Sequence, residues 1–166
     1  VGIPYDALDN WRSVYPTETF VAQMQKVADG FAAGCELLQK AVAVSKGKYR
    51  KQLTDDLGRA RTVGIHCASS ANQARFTEAR NRLLTSTDRD ERRRYIDTMR
   101  RAAEAEAELT ADLLPIVRND PTIGYESSNH YFYVPQDLLE KQLNIRYVLD
   151  WLDRQAEPRN SETFQQ

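Results

Sequence analysis

Apolar side chains recur at spacings of three and four along most of this chain, the pattern of helices that each bury one face. From Thr17 the series Phe20, Met24, Val27, Phe31, Leu38 and Ala41 draws one such stripe, and Ser45-Lys46-Gly47-Lys48 breaks it. The Thr17 hydroxyl is placed to cap the free amides of the first turn. Gly30 and Gly34 lie within this helix. Each costs roughly 1 kcal/mol relative to alanine, so the pair predicts close approach of a neighbouring backbone.

A second helix carries Tyr49, Leu53, Leu57, Ala60, Gly64, Cys67, Ala71 and Ala74, and Phe76, Leu83 and Leu84 anchor its far end. This stripe is made mostly of small residues, which let helices approach closely. A third opens at Thr87-Asp88, with Asp88 and Glu91 at capping-box spacing. It continues through Tyr95, Met99, Ala102, Glu106, Leu109, Leu113 and Ile116, and Pro115 is expected to kink or end its last turn. Glu106 is the one charged member of that stripe, and two readings fit it: reach to solvent, or pairing with an arginine of a facing helix.

The helical period disappears between Asn119 and Pro135, where Asp120-Pro121 and Gly124 mark a long loop ending in Tyr125-Glu126-Ser127-Ser128-Asn129-His130-Tyr131-Phe132-Tyr133. Pro135 then suits a first helical turn, followed by Leu138, Leu139, Leu143, Ile145, Val148, Leu149, Trp151 and Leu152. The fold class predicted is all-α. Its architecture is an up-and-down antiparallel helix bundle of three long helices plus a shorter C-terminal helix, with a non-helical aromatic loop. Residues 1–16, broken by Pro4 and Pro16, form a packed N-terminal extended segment with a helical turn over Asp6 to Ser13, capped by Asp6. Residues 17–157 form the bundle domain, and 158–166 a flexible tail.

Length changes this picture little, since 166 residues suit one folding unit. With 23 basic and 24 acidic side chains the net charge is −1. That leaves no global field to draw in nucleic acid or an anionic membrane, and neither is expected as a partner. No apolar run nears the ~20 residues needed to span a bilayer. Cys35 and Cys67 read as small hydrophobes on successive stripes, with a single bridge between them geometrically conceivable. The chain opens at Val1, which fits a processed product or a piece of something longer.

Candidate chemistry is sparse. A di-metal carboxylate bundle needs glutamates and Glu-x-x-His units on facing helices. The histidines here are His66 and His130 only, and Glu126 precedes His130 by four positions rather than three. No metal site, cofactor or catalytic residue is therefore expected. Glu106 with Glu36 or Glu126 could supply two carboxylates, but a bundle this small rarely opens the cleft that glycosidic acid/base chemistry needs. Ser127, Ser128 and His130 adjoin in sequence without the strand-to-helix elbow of a nucleophile, and His66 beside Cys67 points in a divergent direction.

The aromatic segment has more to offer. Tyr125, Glu126, Asn129, His130, Tyr131 and Tyr133 combine ring faces with amide, carboxylate and imidazole groups, the mixture that sugar recognition uses. The alternative is that these aromatics plug the bundle end while Asn129 and His130 satisfy loop backbone groups.

Two stretches, Ile3-Pro4-Tyr5-Asp6-Ala7-Leu8-Asp9-Asn10-Trp11-Arg12-Ser13-Val14-Tyr15-Pro16 and Asp120-Pro121-Thr122-Ile123-Gly124 running on into the aromatic segment, resemble the C-terminal helical region of large bacterial glycoside-hydrolase-like proteins. There a helical region follows a β/α-barrel. The resemblance implies a non-catalytic accessory module packed on or near a carbohydrate-binding catalytic domain of a larger, periplasmic or secreted polypeptide. It also implies that the aromatic loop lies against the barrel or near its sugar-binding face. The sequence lacks a barrel and its acids. A second expectation, from a different class, is a free-standing helix-bundle interaction or dimerisation domain, with a homodimer as one form.

Overall fold

The computed structural model describes residues 7–124 and 133–156. All regular structure among them is helical: α1 (Leu8–Trp11), α2 (Thr17–Val44), α3 (Gly47–Thr85), α4 (Arg89–Asn119) and α5 (Pro135–Ala156). The short α1 sets the buried Leu8 against α3. It is shorter than the turn expected, and the Asp6 proposed as its cap lies outside the described residues.

Helix α4 starts as its sequence indicates, because Asp88 Oδ1 accepts the Glu91 backbone N–H at 2.8 Å and supplies one of the missing first-turn partners. Helix α2 does not. Its first residue is Thr17, the capping position falls to Pro16, and the Thr17 hydroxyl donates across to Glu78 Oε2 on α3 at 3.4 Å. A partner on another helix has taken the group that local capping would use. Pro115 does not end α4, which continues to Asn119. Ala111 and Pro115 are both exposed, so water can take the carbonyl that the ring leaves without a donor. Leu113 and Val117, buried on the other face, hold the turn in place.

Consecutive helices pack on one another: α2 on α3, α3 on α4, α4 on α5. Contacts run in opposing order, with Gln25 beside Arg75 and Phe31 beside Gly64, then Ser69 beside Glu106 and Gly58 beside Ile116. The pairs Glu106 with Lys141 and Arg100 with Asp153 continue that order onto α5.

The apolar core has two parts. One gathers Ala79, Leu83, Ile96, Met99 and Leu152, flanked by Phe76, Tyr95, Val148 and Trp151. The other gathers Leu113, Val117 and Leu138 with Ile65, Ile116, Ile123 and Tyr133 against them. Helix α2 belongs to neither. It buries only Thr17, Ala28 and Cys35, while Val27, expected on its inner stripe, is exposed. Tyr49 of α3 and Leu139 and Leu143 of α5 are likewise exposed rather than in the core.

The glycine expectation needs correction. A Cβ at Gly30 or Gly34 would meet nothing within 4 Å, because both sit away from the α3 contact. The close approach occurs at Gly64 on α3, where a Cβ would come within 3.1 Å of Phe31 Cβ.

Candidate functional site

Between the two apolar clusters lies a buried polar layer centred on Glu106, 7% exposed. The helical period places Glu106 on the same face as Met99, Ala103 and Leu113, so α4 carries its carboxylate into the interior. Ser69 Oγ donates to Glu106 Oε1 at 2.5 Å, and Asn72 Nδ2 donates to Oε2 at 3.2 Å. Lys141 Nζ of α5 completes the set as both hydrogen-bond donor and counter-ion on Oε1. Neither reading made from the sequence holds, since the carboxylate does not reach solvent and its partner is a lysine. Arginine would carry a broad planar fork, whereas Lys141 delivers a point charge along a slender stem.

The layer extends outward through α3 to α2. Arg75 Nη1 donates to Asn72 Oδ1 at 3.1 Å, and Nη2 donates to Gln25 Oε1 of α2 at 3.1 Å. Gln73 Nε2 donates to Ser69 Oγ at 3.0 Å, and Gln142 Nε2 of α5 donates to the Ala107 carbonyl at 2.6 Å. One connected set of hydrogen bonds thus runs from Gln25 through Arg75, Asn72 and Glu106 to Lys141, crossing all four long helices. Buried polar groups satisfied this completely rigidify a core and penalise misregistered packings.

Tyr133 sits at the edge of this layer. Its hydroxyl lies 2.6 Å from His66 Nδ1, and the two rings meet edge to face with centroids 5.7 Å apart. Burial, and then the negative charge of Glu106, push the Tyr133 phenol up to about 12. The phenol therefore keeps its proton near pH 7 and shares a hydrogen bond with His66 Nδ1. The cavity enclosed by His66, Ser69, Glu106, Tyr133 and Lys141 measures about 10 Å³. That is room for one water at most, whereas Glu106, Lys141 and Asn72 also border a larger cavity of about 310 Å³ between α3, α4 and α5, lined too by the apolar Phe76, Ile145 and Val148.

Of the aromatic-segment residues singled out from the sequence, Tyr125, Glu126, Asn129, His130 and Tyr131 lie outside the described residues. Tyr133 is turned into the helices with its hydroxyl committed to His66. A Cβ at Gly124, whose φ is +87°, would come within 2.7 Å of Tyr133 Cβ, so the two ends of the segment touch. Sequence reasoning missed Ser69, Asn72 and Lys141. A signal existed for the last: Lys141 follows Leu138 by three and precedes Ile145 by four, which puts a cation on the apolar face of α5.

On the α2 side the structure opens. A groove of about 770 Å³ runs between α2 and α4 over α3, floored by Leu57, Gly58, Ala60, Gly64 and Ala68. It is continued by one of about 730 Å³ toward Thr17 and Tyr95, the two sharing Gln25 and Asp29. Cys35 lines the first part, and it and Cys67 are both free thiols. Among the described residues no group of acids, histidines and cysteines could hold a metal ion. Comparison with protein-family models, with curated proteins and with solved structures finds no match to this chain.

Proposed function

We propose that this chain is a non-catalytic helical docking module, its four long helices arranged as an up-and-down antiparallel row. The observation that carries the reading is the trough between α2 and α4. Helix α2 has α3 as its neighbour on one side, and the other side of its inner face borders open space lined with small and apolar residues. A groove of this shape suits an amphipathic helix. Its rim carries Asp29, Glu36 and Asp112 against Arg61, so the helix that fits best has a small-residue face flanked by basic side chains.

The sequence resemblance gives such a module a setting: the accessory part of a bacterial glycan-processing protein, seating a helix of its adjoining catalytic domain. Carbohydrate contact, if made by this chain, then falls to Tyr125, Glu126, Asn129, His130 and Tyr131, since Tyr133 is held by His66. The test is to express the region encoded upstream of Val1 separately and measure its association with this chain by calorimetry. Association that Ala32→Arg, on the trough wall, abolishes supports the reading. No such region, no association, or indifference to Ala32→Arg would sink it. A stable homodimer by sedimentation, disrupted by the same substitution, would favour a self-pairing domain instead.

A further inference from the structure

We infer that the hairpin joining α2 to α3 is an interfacial anchor for an anionic phospholipid surface. Between Lys40 and Lys51 the chain carries five cations, Lys40, Lys46, Lys48, Arg50 and Lys51, and no acid. All five are exposed, and among the described residues only Lys51 forms an ion pair, with Asp55 at 2.9 Å. Set among them are Val44, 81% exposed, and Tyr49, 64% exposed. Lys48 Nζ stands 5.2 Å from the centre of the Tyr49 ring. Apolar side chains this open have no role in the core.

The hairpin also projects. Gly58 of α3 lies against Ile116 of α4, and Arg59 pairs with Asp120 just beyond the end of α4 at Asn119. Helix α3 begins at Gly47, so its first two turns extend about 12 Å past that level, with α2 the one helix beside them among the described residues. A protruding tip can meet a flat surface without bringing up the rest of the molecule. The far ends of helices this long lie several Debye lengths away, about 8–10 Å each at ordinary salt, so the overall charge of −1 does not oppose contact there.

A lipid surface is favoured over nucleic acid by what accompanies the cations. Phosphate backbones reward positive charge but offer little to an exposed valine, whereas a bilayer interface takes up both an aliphatic side chain and a tyrosine ring. Cationic clusters of this size next to such residues read as anionic-lipid contacts. No described helix is long and apolar enough to cross a membrane, and the contact proposed is one made by the hairpin at the lipid surface.

The test is co-sedimentation of the full chain with vesicles of phosphatidylcholine and phosphatidylserine, set against pure phosphatidylcholine. Each basic residue near such a surface is worth about fivefold in partitioning. The triple variant Lys46→Ala, Lys48→Ala, Arg50→Ala should therefore bind the mixed vesicles about 100-fold more weakly, with its helical circular dichroism unchanged. Val44→Ser with Tyr49→Ser should weaken binding in a way added salt does not mimic. No preference for the anionic vesicles, equal binding by the triple variant, or tighter binding to duplex DNA than to vesicles at the same salt would each overturn the assignment.

Discussion

Lys141 on α5 meets the carboxylate of Glu106 on α4 at the level that separates the two apolar clusters, and that pairing ties α5 to the interior. Glu106 is the buried member and Lys141 is partly open to water, so removing the ammonium leaves the carboxylate stranded in a medium that solvates it poorly.

Lys141→Met should cost roughly 3 kcal/mol, read as a lower urea midpoint with the slope unchanged. Adding Glu106→Leu to that variant should recover much of the loss, because a matched apolar pair removes the stranded charge. If Lys141→Met alone were neutral, the carboxylate would not depend on this ammonium.

Tyr133 is predicted to ionise near pH 12 rather than 10.0 in a phenolate absorbance titration, and Tyr133→Phe should delete that late phase. The sign of the linked stability follows. The folded chain keeps the proton after the unfolded chain has lost it, so this contribution is complete below pH 10.0 and disappears as pH rises toward about 12. Wild type and Tyr133→Phe should therefore converge in stability across that window, and a constant difference would count against burial as the cause.

Three glycines of α2 and α3 separate by what a methyl group would meet. Gly30→Ala and Gly34→Ala, with open space around each, should each raise thermal stability by roughly 0.5–1 kcal/mol. Gly64→Ala should lower it or gain nothing, because Phe31 Cβ lies 3.1 Å away and moves only with its backbone. Equal gains at all three positions would refute the close approach.

Helix identity was legible because three-four periodicity is clear along α2, α4 and α5, whereas α3 is only weakly amphipathic and showed as a stripe of small residues; Asp88 with Glu91 marked the start of α4 correctly. What misled was information held between helices. The Thr17 hydroxyl looks like a cap until Glu78 on another helix claims it. Gly30 and Gly34 look like contact points, and only the actual rotation of α2 shows that Gly64 supplies the contact from the other side. The buried layer was half visible: Glu106 stood out in its stripe, but its partners Ser69, Asn72 and Lys141 are ordinary residues whose role depends on three-dimensional register.

The meeting of Gly124 and Tyr133 makes a neck in the connection between α4 and α5. Because Gly124 and Tyr133 meet, the chain between them starts and ends at one point. Lengthening such a loop costs only about 0.6 kcal/mol per doubling and transmits no strain to the helices on either side. Inserting sequence between Gly124 and Tyr133 should therefore leave the stability of the helices nearly unchanged, which makes this connection a place to graft foreign sequence.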